Sequence, residues 1–336
     1  MAVIDTHAHW TPDRYRAAVE ADGEWYGLDS TVGELENAGF RMTLEERVAD
    51  MDALGVDVQL VSPTAGFYQY ANDLETTAAI ARECNDEIAD VLARCPERFL
   101  GLGTLPMQDV DAAVAELERV MTSLRLKGVM ISDHVNDRLY DEPEFVRFWE
   151  TAERLGALIF FHQGPDRRYK VGRYHLDNSI GNLVDRALVF AILSAGGVLD
   201  RFPNLKLLLA HAGGYAAFGA ARMDKAAGFF VEDQPPSGGQ AGYTVPYAPT
   251  PEYDAPSSQP PSAYLGKFFY DCCTFTGATL RFLIDTVGID QVVLGTDAPA
   301  PMVLTDAVRW LASLDCLTDD ERHAIVTGNP SRMLGV

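Results

Sequence analysis

The chain has 336 residues, 47% of them hydrophobic, and its 27 basic and 49 acidic side chains give a formal net charge of -22. That charge argues against nucleic acid or an anionic membrane surface as a partner, and no stretch approaches the ~20 apolar residues of a membrane span. Five scattered cysteines, an odd number, fit a reducing compartment better than a disulfide framework, and the chain opens on a strand rather than a secretory leader, so a cytoplasmic protein is expected.

In chain order, the first predicted strand covers residues 3–7 (VIDTH) and runs on into Ala8 and His9. Side chains two apart on a strand share a face, so His7 and His9 can converge on one ion at the roughly 2.0–2.1 Å of a Zn–N bond. Asp5 shares that face and reads either as a carboxylate orienting the pair or as a buried strand-end group. Residues 10–40 then carry Trp10, Trp25, Tyr26 and Phe40 among polar residues and are predicted to cap the site. Trp10 is the candidate aromatic wall, and Arg41 leads into the next helix.

Helical periodicity in TLEERVADMDALG precedes a second strand at 56–63, and LETTAAIARECNDEIADVLARC precedes a third at 99–106. VDAAVAELERVMTSL leads to a strand at 126–133 and EPEFVRFWETAERLG to one at 157–163. The latter delivers His162, which taken alone could be a satisfied core histidine. In the loop beyond it His175, near Asp177 and Asn178, is either exposed or within reach of substrate. Strand 205–211 delivers His211 into His-Ala-Gly-Gly, whose glycines let the backbone pass close to a ligand.

Arg222 and Asp224 on the following helix read as a structural ion pair. Residues 231–263 hold eight of the 18 prolines with Tyr243, Tyr247 and Tyr253, and are predicted to form an ordered surface excursion onto a second subunit. In the strand at 268–274, neighbours Cys272 and Cys273 should face opposite sides. The last strand, 291–297, ends in Asp297 before Ala-Pro-Ala-Pro, and a buried aspartate needs a partner such as a divalent cation to stay charged. His134 and His323 read as surface residues.

Alternating strands and helices mean βα units on a parallel sheet. Eight of them predict one domain over 1–336, an α/β (β/α)8 TIM barrel with a cap insertion after strand 1 (about 10–40) and a proline-rich excursion after strand 6. In such barrels the catalytic groups come from the C-terminal ends of the strands. His7, His9, His162, His211 and Asp297 all stand there, which points to a metalloenzyme. Spacing alone leaves open which histidines are ligands and which is a base.

The opening THAHW, FHQG, LDNSIGNLVDRA, GVLDRFPNLKLLLAHAGG, GTDAP and the terminal GNPSRMLGV together give the chain a resemblance to a known family. Over essentially its whole length it resembles the amidohydrolase superfamily, in the branch of aminocarboxymuconate-semialdehyde decarboxylase and related aromatic-acid decarboxylases. The resemblance implies that His7, His9, His162 and Asp297 hold one divalent metal ion. Zinc is the first choice, and manganese, iron(II) or cobalt suit the same ligands. His211 is then the acid–base partner and Asp297 also the proton donor.

A single metal agrees with the fourth strand ending in Ser132 and Asp133, while Lys127 lies at its opposite end. Arg41 matches the arginine that grips a substrate carboxylate in that branch, and Trp10 and His175 join it as expected substrate contacts. A second arginine, offered across the dimer in the semialdehyde decarboxylase, has no counterpart near Phe230. Asp-Ala-Pro also stands where that enzyme has an aromatic after the aspartate. These motifs imply a homodimeric carboxy-lyase acting on a small aromatic or muconate-like carboxylate. The alternative is a hydrolase of amides, lactones or ring bonds, or a deaminase, using a metal-bound hydroxide at the same site.

Overall fold

Each apolar run becomes a strand buried on both faces, as a parallel sheet covered by helices requires. In a computed structural model of the chain, which describes residues 2–21, 23–29, 31–165, 168, 171–227 and 257–336, the strands are β1 (Ile4–Trp10), β2 (Val58–Pro63), β3 (Phe99–Gly103), β4 (Gly128–Ile131), β5 (Leu158–Phe161), β6 (Lys206–Leu209), β7 (Phe268–Asp271) and β8 (Val292–Val293). They pair in sequence order, every pair parallel. This is the expected TIM barrel.

β8 is much shorter than the predicted 291–297, because beyond Val293 the chain joins β1 through an irregular seam instead of a ladder. Thr6 N donates to Leu294 O at 2.8 Å, Asp297 N to His7 O at 2.8 Å, and His9 N to Ala298 O at 2.7 Å. β1 shifts register between Asp5 and Ala8. This seam brings Asp297 beside His7 and His9.

Local chemistry sets the helix ends. Leu44–Leu54 starts at a Thr43/Glu46 capping box and stops at Gly55, whose φ of 72° is the left-handed conformation glycine accepts freely. Leu74–Arg94 and Val110–Thr122 start from the side-chain caps of Asp73 and Asp109. No helix among the described residues is long and apolar enough to cross a membrane.

The insertion after β1 builds a small apolar cluster of its own. Tyr15, Trp25, Leu28 and Leu35 pack with Phe67, Ile80 and Cys84. Most of the proline-rich excursion, residues 231–256, lies outside the described residues, as do Phe230 and Tyr243, Tyr247 and Tyr253. Its last part is described: Ser262 N donates to Asp224 Oδ1 at 2.9 Å, and the 3-10 segment Pro261–Lys267 leads into β7.

Four sequence expectations change here. Asp224 accepts from that Ser262 amide, while Arg222 is exposed and not paired with it. His134 is buried rather than on the surface, because its Nδ1 turns inward onto Asn136 O at 2.7 Å. Cys272 and Cys273 do not split between faces: β7 ends at Asp271, so strand alternation no longer holds, and both thiols reach Gly295 O. Asp5 resolves as a buried structural group. It accepts from Thr296 N, Thr296 Oγ1, Gln59 Nε2 and His7 N and so ties the seam together. Lys127 sits where expected, its Nζ on Leu334 O at the N-terminal end of β4.

Candidate metal centre

β1 supplies His7 and His9, the residues after β5 and β6 supply His162 and His211, and the seam after β8 supplies Asp297. His7 Nε2 and His9 Nε2 lie 3.1 and 3.0 Å from Asp297 Oδ1. His162 Nε2 is 3.7 Å from the same oxygen, and His211 Nε2 is 3.4 Å from Oδ2. All five residues predicted from sequence therefore meet at one point. His211 (φ 54°) and Asp297 (φ 63°) both adopt the left-handed region that non-glycine residues avoid. The strain at these two positions is held by the surrounding hydrogen bonds.

The donor set fits a metal ion. Bonds of 2.0–2.1 Å in a tetrahedral site put neighbouring donors about 3.3 Å apart, close to the separations found. His7 Nε2 and His162 Nε2 are buried without a hydrogen-bond partner among the described residues, a costly state unless a cation sits there. The donor atoms of His7, His162, His211 and Asp297 also lie within 4.8 Å of one another, so distance leaves His211 within reach of the same centre.

Electrostatics follow from this crowding. Burial raises the Asp297 carboxyl, but the His7 charge and the close approach of the His162, His211 and His7 ring nitrogens outweigh it and hold the group well below the usual carboxylate range. Burial lowers His7, yet the nearby charge of Asp297 and the hydrogen bond to Asp271 push it up to about 10. His9 and, further, His162 are lowered by burial.

Two groups that sequence reasoning missed contact the candidate ligands from behind. Asp271 Oδ2 accepts from His7 Nδ1 at 2.7 Å and from His211 N at 2.8 Å, and its Oδ1 accepts from Ala212 N at 2.8 Å. Ser62 Oγ lies 3.1 Å from His9 Nδ1. The signal for Asp271 was present, since a carboxylate inside FFYDCC must have a buried partner.

Above the cluster is a cavity of about 650 Å³ with His9, His162 and Asp297 on its floor. Thr31, Val32, Glu34 and Phe40 from the insertion after β1 line it, and so does His175. Trp10 does not: the alternation that aims His7 and His9 inward turns Trp10 outward, where its ring meets Phe99 at 6.5 Å between centroids. Arg41 is exposed and also outside the lining, since it closes the 3-10 turn Ala38–Arg41 from which Phe40 is the residue directed inward.

A family model described as amidohydrolase matches residues 4–336. The 2-amino-3-carboxymuconate-6-semialdehyde decarboxylase of Dictyostelium discoideum is 28% identical over 99% of this chain and 91% of its own length. The solved 5-carboxyvanillate decarboxylase of Sphingomonas paucimobilis is 27% identical, covers 100% of this chain and 99% of its own, and superposes with a TM-score of 0.81. A dihydroxybenzoic acid decarboxylase from Polaromonas, solved with bound manganese and 2-nitroresorcinol, is 22% identical, covers 99% of this chain and 97% of its own, and superposes with a TM-score of 0.78.

Proposed function

The chain belongs to the amidohydrolase family, and on that footing we propose that it is a metal-dependent, non-oxidative decarboxylase of a small aromatic or muconate-like carboxylic acid. The observation that carries this reading is the convergence of three imidazole nitrogens on Asp297 Oδ1 at the floor of a ring-sized cavity, in a chain whose relatives are carboxy-lyases.

His7, His9, His162 and Asp297 would hold the ion, zinc or manganese. A divalent ion there supplies Lewis acidity and fixes the orientation of the substrate carboxylate. Asp297 then protonates the ring carbon that bears the carboxylate. The C–C bond breaks, its electron pair returns to the ring, and CO2 leaves. The lowered Asp297 is held as the carboxylate, so it would carry the proton only in passing, taken from His211 Nε2, 3.4 Å from Oδ2, and handed to the ring carbon. His175 is the exposed contact at the cavity rim. A homodimer belongs to the same reading.

Hydrolysis would use the same donor set, and no feature of the cavity favours it. The deciding experiment loads the protein with zinc or manganese and assays hydroxybenzoates and muconate-type acids for CO2, beside amide and lactone panels. CO2 release from at least one carboxylate is expected. Turnover of an amide or lactone with no CO2 from any acid would overturn the lyase reading.

A further inference from the structure

Directly after the ligand His162 stands Gln163, which is 9% exposed and lines the cavity. Its Oε1 accepts from Arg186 Nη2 at 3.0 Å. A guanidinium can only donate, so this contact fixes which end of the amide is oxygen and sends the Nε2 group the other way. Arg186 is fully buried and pairs through Nη1 with Asp133 Oδ1 at the end of β4. Among the described residues Nε2 has no protein partner, yet it is not among the polar atoms sealed from solvent. The cavity is the space it faces.

We propose that Gln163 is a substrate-binding residue whose Nε2, turned into the cavity by the buried Asp133–Arg186 pair, donates a hydrogen bond to an oxygen of the substrate beside the metal centre. The inference rests on the aromatic-acid reading above and deepens it. Among the described residues no lysine or arginine lines the cavity, and the Gln163 amide is a neutral donor within it. The substrate class it selects carries one carboxylate and an adjacent hydroxyl or phenolate oxygen rather than two carboxylates.

The test measures dissociation constants on the manganese-loaded protein with 2,6-dihydroxybenzoate, 4-hydroxy-3-methoxy-5-nitrobenzoate and 2-nitroresorcinol as probes. Gln163→Leu should weaken binding of at least one probe by about 10- to 100-fold. Gln163→Glu, which keeps an acceptor for Arg186 but replaces the donor with a negative oxygen, should weaken it at least as much. Metal content should match the wild type in both. Arg186→Lys should weaken binding in the wild type and add nothing in the Gln163→Leu background, where a merely structural role would give additive losses. Wild-type affinity in both Gln163 variants, with the wild type binding and releasing CO2, would overturn the inference alone. Failure of the wild type to bind any probe or to release CO2 would overturn the aromatic-acid reading and the inference with it.

Discussion

His7 Nδ1 and Asp271 Oδ2 lie 2.7 Å apart, and neither residue is accessible to solvent. The carboxylate fixes the tautomer that presents Nε2 to the metal centre and makes that nitrogen a better donor. Asp271→Asn should therefore weaken metal affinity by about 10- to 100-fold. Only one end of an amide accepts, so the His211 and Ala212 N–H groups cannot all stay bonded and the loop after β6 should loosen too. Competition with a chelator measures the first effect. Unchanged metal affinity would show that His7 needs no orienting partner.

Gly295, in the Gly-Thr-Asp turn, is flanked by the same two residues. A Cβ there would meet Asp271 Cβ at 2.7 Å and His7 Cβ at 2.8 Å. Gly295→Ala should push the pair apart and lower metal content in the purified protein. Metal content equal to the wild type in a folded variant would refute the packing argument.

The convergence of the five candidate residues was legible in sequence because each follows an apolar run, and burial of that run fixes which end of the barrel the next polar residue reaches. His7 and His9 were also legible as a pair, since strand alternation is a local rule. That rule contradicts the pocket-wall reading of Trp10, one residue on. That Asp271 needs a buried partner was legible, but which partner it and Ser62 take was not, because this depends on which strands become neighbours, and β1 finds β7 groups only when the barrel closes. Arg41 stands outside the lining because the 3-10 turn between the insertion and the next helix directs Phe40 inward instead.

A second chain of buried polar groups braces the seam from the side of the Leu44–Leu54 helix. Arg47, 2% exposed, donates through Nε to Gln59 Oε1 at 2.8 Å and through Nη2 to Ala298 O at 3.1 Å. Arg47→Met keeps the volume but strands both acceptors, at about 1–3 kcal/mol each. Urea unfolding should register the loss. Because Ala298 follows Asp297, kcat should fall in protein that remains folded. A variant as stable as the wild type would mean that water replaces the guanidinium.

Removing the metal should make stability depend on pH in a particular direction. His7 in the metal-free fold is raised from 6.5 to about 10. A raised basic group stabilises fully below its unfolded pKa, and that contribution is lost as pH climbs from about 6.5 through 10. His9 and His162 are lowered, so they cost stability only below about 6.5. Metal-loaded protein has already given up the His7 Nε2 proton. The gap in Tm between loaded and chelated protein should thus widen from pH 6.5 to 10, measured by paired melts. A gap constant over that window would show that His7 is not charged in the metal-free fold.

Asp297 separates the two chemistries most directly. Asn at this position keeps an oxygen for the centre but cannot carry a proton. At saturating metal, Asp297→Asn should lower the single-turnover rate of CO2 release by about 10²–10⁴-fold and leave probe binding within a few-fold. In D2O the proposed reaction should place one deuterium on the carbon that lost the carboxylate, since its proton would come from the exchangeable Asp297–His211 pair 3.4 Å apart. A hydrolase would instead incorporate solvent oxygen and leave the ring carbons unlabelled. Near-normal turnover by metal-loaded Asp297→Asn would move the proton source to His211. Oxygen-18 in the product without CO2 would move the reaction to the hydrolytic class that the same four ligands can serve.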